Sequence, residues 1–574
     1  MNGRAQPVCE MERSTPAPAR GYWSAALEFI LFVAFAFILV LAIQAARGEK
    51  RDHFGAFPDE AAHYVTALMI HDYVADGFPG SPVQYGLNYY AHRPKVAFGA
   101  WPPLFHILLA GWMMFFHSSS SSVLLFTSLL GAVLAAAVFA IARTGFTGTQ
   151  ALALGTVVAV APAVQELSAM VMADLLHALF CTCAIYALAH YLKTRRPWLM
   201  LACGVATAAA LLTKNNAVLL GVAIPLTVVL TRAWWVLRRK VTWLAAGIVV
   251  VVAGSWEIWA LRWVLGLMID DTTGAERVRY YSQALLSITG APIAILAAIG
   301  LGVALVGPLR GKGPVPPIYA ASASLVAGTW IFHVVLKQET YERYMLPALP
   351  AAVILAALGL EALVSRLPAW SKPGYVAAIL GFSIVGWQGF AAIRLPRRGD
   401  SAYPYVAQRL LQLQPADANQ VILISSERNA EGLLIEEVAS RERPLNRWIL
   451  RGTKVLSRSG WHLENYRIRF SDNDALLAYL RSVPVDLIVL DPPNSGRPLA
   501  HHRQLAELIE RHPDDFEPVL RTSPGRNCRG EYCAVEVFRL QVPDRAKGVQ
   551  LGVGAKEMIG RKLFRDWDMG PPAP

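Results

Sequence analysis

Eleven long apolar stretches joined by short polar connections constrain this chain more than any other feature. They lie near 24–46, 121–142, 150–165, 175–192, 198–213, 216–231, 241–263, 285–306, 317–336, 345–365 and 374–393. In lipid every backbone polar group must be satisfied within its own segment, and a helix needs about 20 apolar residues to cross the hydrocarbon core. The pattern therefore predicts an α-helical polytopic membrane protein with about eleven transmembrane helices. Several soluble domains are excluded, because charged residues make up only 16% of the chain, against about 25% in soluble domains. Ser24–Ala46 contains one charge, Glu28. It exceeds the apolar core of a cleaved signal and reads as a retained span behind a cytoplasmic leader, 1–23.

The net charge of +12 could indicate nucleic acid, so the positions of the charges decide. With the N-terminus cytoplasmic, the leader and inner loops hold fifteen Lys and Arg, while the short outer loops hold five: Lys214, Arg277, Arg279, Lys337 and Arg343. This is the positive-inside bias of an oriented membrane protein, with no nucleic-acid partner. Trp101–Phe116 is also apolar. Counted as a further span, it would invert every later loop and erase the bias. It is therefore assigned as an interfacial helix, 101–116, inside a long first outer loop, 47–120. Acidic residues gather on the outer side, among them Asp59, Glu60, Glu166, Asp174, Glu339 and Glu342.

After Arg394 the pattern changes. Val421–Ser425, Asp486–Leu490 and Ala534–Leu540 read as strands, and Asp474–Arg481 and Gln504–Arg511 as helices. This is a soluble α/β domain, 395–545, which an odd number of spans places outside. Residues 546–574 form a tail ending Gly570-Pro571-Pro572-Ala573-Pro574.

Candidate chemistry concentrates in the outer loops. Phe57-Pro58-Asp59-Glu60-Ala61-Ala62-His63 suits a helix start, where Pro fits the first turn and carboxylates meet the positive end of the dipole. On such a helix Asp59, Glu60 and His63 share one face, which also suits a proton acceptor or a divalent metal. Tyr89, Tyr90, His92, Arg93 and Lys95, followed by Trp101-Pro102-Pro103, place aromatics beside cations at the membrane surface. That suits a lipid phosphate and equally an interfacial belt. Asp174 stands at the mouth of a span, costly there unless solvated, paired or functional. Arg343, within Glu342-Arg343-Tyr344-Met345-Leu346-Pro347, could clamp a phosphate or pair with Glu339.

Four features occur in this order: an acidic pair after the first span, an aromatic-basic stretch ending in Pro-Pro, an Asp opening the fourth span, and Glu-Arg-Tyr-Met-Leu-Pro before a late span. In this the chain resembles the GT-C membrane glycosyltransferases over residues 24–394. It lies near their protein O-mannosyltransferase and lipid A aminoarabinose transferase branch, and in bacteria near the rhizobial lipopolysaccharide core transferases. The resemblance implies an enzyme of the bacterial inner membrane. It would move a sugar from a polyprenyl-phosphate-linked donor to a hydroxyl of a glycan, lipid or protein acceptor on the periplasmic face, with inversion. It also implies that Asp59, Glu60 and Asp174 are catalytic. Asp59 and Asp174 both lie at helix starts on the outer face, so their carboxylates are expected to converge within roughly 15 Å, as one reaction centre requires. Tyr90, His92, Arg93, Lys95, Trp101, Lys214, Arg343 and Tyr344 would contact the donor phosphate or substrate. Relatives often carry Lys or His before Pro-Pro. Trp101 stands there in this chain, and Arg93 or Lys95 would take its part.

Two other classes remain open. A transporter or flippase would need ionisable residues at mid-membrane, where Glu257 and Arg262 are the main examples. A non-catalytic envelope-assembly scaffold would keep the same fold. No cofactor is required, and Asp59, Glu60 and His63 could hold a divalent ion. Cys528 and Cys533 flank Arg529-Gly530-Glu531-Tyr532 in the outer domain, where an oxidising compartment permits a disulfide.

Overall fold

The computed structural model describes residues 22–541 except 50–52, 56, 98, 100, 265–271, 312, 337–338, 369–372, 399–400, 414–419, 427–429, 444, 459–465, 484, 492–498, 525–527 and 529–531. The leader and the tail lie outside the described residues, apart from the last two of the leader.

Helix α1, Tyr22–Arg47, is 26 residues long, about 39 Å at 1.5 Å per residue. The first loop then folds into α2 (Pro58–Ala75), α3 (Pro82–His92) and α4 (Leu104–Phe116). Helix α2 starts where Pro58 supplies the first turn and Asp59 and Glu60 face the helix dipole. Thirteen residues make α4 only about 20 Å long. It packs on α2, buries Phe105 and Leu109, and exposes Ile107, Phe115 and Phe116.

The helical bundle continues through α5 (Ser120–Ala142), α6 (Gly148–Val160), α7 (Pro162–Ser168), α8 (Asp174–Thr194), α9 (Pro197–Thr213), α10 (Leu220–Leu230), α11 (Lys240–Val249) and α12 (Ser255–Val264). It then runs through α13 (Gly274–Thr289), α14 (Ala291–Leu309), α15 (Pro317–Val335), α16 (Ala348–Val364) and α17 (Pro373–Ile393). Among the described residues, seven helical segments are long and apolar enough to cross a bilayer. An eighth forms if α6 and α7, bent by 55° at Pro162, count as one. The remaining three stretches of the expected eleven are the shorter apolar helices 197–213, 215–230 and 348–364. Helices α14 and α16 cross where Gly300 meets the Leu355 carbonyl and Gly359 the Leu296 carbonyl, so neither position has room for a Cβ.

After α18 (Tyr403–Leu413) come β1 (Gln420–Ser425), α19 (Ala430–Ala439), β2 (Arg447–Arg451), α20 (Gly452–Val455), β3 (Ser457–Arg458), β4 (Arg467–Ile468), α21 (Asn473–Ser482), β5 (Leu487–Leu490), α22 (Ala500–Arg511), β6 (Phe516–Arg521) and β7 (Glu536–Leu540). The five-stranded sheet has the order β2-β1-β5-β7-β6. Its β2, β1 and β5 are parallel, and β7 and β6 are added antiparallel. All six residues of β1 are buried, as expected for a parallel strand covered on both faces. Cys528 and Cys533 form a disulfide with Cα atoms 5.6 Å apart. One hydrophobic cluster runs without a break from the helical bundle into the sheet, and α19 packs against α2.

Candidate active site

Four charged groups from four separate parts of the chain form the centre of the site. Arg343, in the single helical turn Glu342–Met345, donates from Nη2 to Asp59 Oδ2 at 2.8 Å. Its Nε lies 3.9 Å from Asp174 Oδ1. Lys214, which follows α9, donates from Nζ to the same Asp174 oxygen at 2.6 Å. The two acids are thus bridged by one guanidinium. Around them lies an aromatic wall. The Arg343 guanidinium sits 4.3 Å from the Tyr341 ring centroid and 4.5 Å from that of Phe57, and Lys214 lies 4.6 Å from Tyr344. Tyr344 in turn stacks on His333.

The carboxylates differ in environment. The Asp174 side chain is 3% exposed and that of Asp59 is 29% exposed, so Asp59 is the one open to a reactant. Asp174 Oδ2 and Arg343 Nε are buried without hydrogen-bond partners among the described residues. Buried polar atoms are nearly always satisfied, and such orphans at a site fit the polar groups of a bound ligand. The two carboxylates raise the Arg343 pKa above the ordinary arginine value even against burial, and burial lowers that of Lys214 despite its partner Asp174. Two cations and two carboxylates leave the cluster with no net charge. An entering phosphate would therefore compete with Asp59 and Asp174 for the same cations.

Other candidates are engaged elsewhere. Glu60 is fully buried, accepting from the backbone of Gly55 and Val171 and from Arg398 Nη2 at 2.7 Å. It ties the start of α2 and the segment before α8 to the chain entering the C-terminal domain. Arg93 is also fully buried. It donates to Glu442 Oε2 at 2.5 Å and to the Arg447 carbonyl, and Arg447 pairs with Glu442 as well. His92 stacks on Trp448. These side chains join the first loop to the sheet. The Lys95 side chain and Ala61 of α2 both lie close against Gly432 of α19. Burial and the neighbouring Arg451 depress its pKa to about 7. Tyr90 is buried beside Glu431 and Arg451. Asp59, Glu60 and His63 do not meet at one point. His63 Nδ1 pairs with His106 Nε2 at 3.0 Å, and its ring stacks on Trp101 with centroids 4.1 Å apart. Among the described residues no group of three His, Cys, Asp or Glu is arranged to hold a metal.

Arg398, Glu436 and the partnership of His106 with His63 were not read from the sequence as parts of the site. Arg398 and Glu436 lie in segments with no local signature, and only folding brings them to α2.

Residues 100–259 match the family model of dolichyl-phosphate-mannose-protein mannosyltransferases. Among curated proteins no relative matches by sequence. Among solved structures, the chain is similar to ArnT from Cupriavidus metallidurans in the apo state, with a TM-score of 0.58 and 14% identity, covering 90% of this chain and 98% of that one. The same protein bound to undecaprenyl phosphate gives 0.58 and 14% over 88% and 97%. The oligosaccharyltransferase of Archaeoglobus fulgidus gives 0.53 and 12% over 82% and 70%. The chain has the GT-C fold. In this fold the four-residue charge cluster draws on the start of α2, the start of α8, the residue after α9 and the turn before α16.

Proposed function

We propose that this protein transfers a sugar from a polyprenyl-phosphate-linked donor to an acceptor hydroxyl at the outer face of the bacterial inner membrane. The single observation that carries the reading is the linked set Asp59–Arg343–Asp174–Lys214, with an accessible carboxylate at one end and two cations beside it. Undecaprenyl phosphate bound to the structurally similar ArnT supports the same donor class.

In this reading Asp59 accepts the proton of the attacking hydroxyl as the new glycosidic bond forms at the anomeric carbon. The bond to the phosphate oxygen breaks, and the polyprenyl phosphate leaves with its electron pair. Arg343 and Lys214 stabilise that charge, and Asp174 positions both cations. A single displacement inverts the anomeric centre. Glu60 and Arg93 take structural roles, fixing the C-terminal domain over the site. The donor enters from the bilayer and the acceptor from outside.

Purified protein in liposomes, supplied with radiolabelled polyprenyl-phosphate sugars extracted from its native membrane, tests the reading. Label should move from the lipid to an acceptor in the same extract, and undecaprenyl phosphate alone should inhibit. Vectorial movement of labelled lipid across the bilayer without transfer would replace the enzyme reading with a flippase.

A further inference from the structure

His63 stands one helical turn after Asp59 and is 6% exposed. Its Nδ1 lies 3.0 Å from His106 Nε2, a contact in which one ring donates and the other accepts. The Pro102 carbonyl, which can only accept, lies close to His106. A neutral His106 that turns its proton toward Pro102 presents Nε2 as the acceptor, and His63 then donates from Nδ1 and keeps a lone pair on its own Nε2. Among the described residues that Nε2 has no hydrogen-bond partner, yet it is not sealed in the way His177 Nε2 is. Trp101 stacks on the ring and Phe105 meets it edge-on, so it is held in place.

Resting on the proposed function, we infer that His63 Nε2 is a fixed hydrogen-bond acceptor that receives a hydroxyl of the sugar or of the acceptor. The geometry selects the ligand chemistry. An anionic phosphate oxygen offers no hydrogen to a lone pair, whereas a hydroxyl does. Burial, with His106, Lys214 and Arg343 nearby, holds the His63 pKa well below the ordinary histidine value, so the ring stays neutral. The site is thus divided: cations at Lys214 and Arg343 for phosphate, and two acceptors about 6 Å apart along α2, Asp59 and His63, for hydroxyls. In this arrangement Asp59 takes the proton and His63 orients without taking one.

The test begins with the full-length protein, labelled with nitrogen-15 histidine, in lipid bilayers. The resonance lost in His63→Gln should belong to a neutral ring protonated at Nδ1, unchanged between about pH 5 and 8. A His63 ring protonated at Nε2, or an imidazolium, overturns the inference. His63→Phe should bind undecaprenyl phosphate as tightly as the wild type but transfer sugar at least about tenfold more slowly, with His63→Gln recovering part of the loss. A raised KM for the lipid donor assigns the hydroxyl to the transferred sugar, and a raised KM for the acceptor assigns it to the acceptor. Equal transfer by His63→Phe and wild type refutes the role. If the wild type does not bind undecaprenyl phosphate, the proposed function fails, while the tautomer measurement still decides the arrangement at His63.

Discussion

Arg343 donates to Asp59 at 2.8 Å although 284 positions separate them in the chain. The contact joins the first turn of α2 to the short turn before α16. It holds the more open of the two central carboxylates in register with the buried Asp174. Neither segment could hold this geometry alone, since α2 is fixed by α4 and α19, and the Arg343 turn by α13 and α15.

Asp59→Asn should leave a folded, membrane-inserted protein whose transfer rate falls by about 10²-fold or more, the usual contribution of a positioned base. Arg343→Lys keeps the charge but loses the planar donor fork that faces Asp59 and Asp174, and should also lose at least about tenfold. Initial rates from lipid-linked donor, normalised to protein in the membrane, check both. Wild-type rates in Asp59→Asn would remove the base from the mechanism.

Asp174 and Lys214 form a pair with little solvent contact, so breaking one side leaves a buried charge. Asp174→Asn should lower unfolding stability by about 3 kcal/mol, and Asp174→Asn combined with Lys214→Met should recover a large part of it. Thermal unfolding of the two singles and the double in the same detergent measures the coupling. Additive losses would show that the pair is not coupled.

Glu60 and Arg398 should behave differently from Asp59. Glu60→Gln and Arg398→Met should each lower the melting temperature, because a buried ion pair with backbone donors is lost. The transfer rate per folded molecule should stay within about threefold of the wild type, since these residues only hold the framework. A loss of about 10²-fold in correctly folded Glu60→Gln would return Glu60 to the catalytic set.

Glu436 lies on α19, with both carboxylate oxygens buried and, among the described residues, unpartnered. Burial, and then Glu60 and Glu437, push its pKa well above the ordinary 4.5. The folded chain therefore keeps this proton at pH values where the unfolded chain has released it. From pH 4.5 upward this favours the unfolded state, by about 1.4 kcal/mol per pH unit until the folded carboxyl ionises. Glu436→Gln removes the effect, so its melting temperature should exceed that of the wild type, by a margin that widens from pH 5 to pH 7. A constant margin would mean that Glu436 is already ionised in the folded protein.

Topology follows from the basic loops. A reporter fused after Arg398 should report the periplasm, and one within Arg232–Lys240 the cytoplasm. The opposite pattern would mean that Trp101–Phe116 crosses the bilayer, which would place Asp174 on the wrong side for the proposed chemistry.

The helical membrane architecture was legible because lipid imposes a one-dimensional rule: a segment that satisfies its own backbone and exposes apolar side chains is visible in the sequence. The start of α2 was legible for a similar local reason, with Pro58 ahead of Asp59 and Glu60. The apolar runs at Val421–Ser425, Asp486–Leu490 and Ala534–Leu540 likewise revealed three strands of the sheet, although not their order.

The division of labour within the charged residues was not legible. Asp59 and Glu60 are adjacent and chemically alike, yet one faces Arg343 and the other Arg398, 284 and 338 positions away. Arg93, which read as a phosphate ligand, is enclosed by Glu442 and the Arg447 carbonyl. The sequence by itself determined where the chain can enter lipid and which residues carry charge outside it. Only the tertiary structure decided which charges neutralise one another and which stay open to a reactant. Helical and strand periodicities act over a few residues, whereas an ion pair depends on distances set by packing between segments hundreds of positions apart.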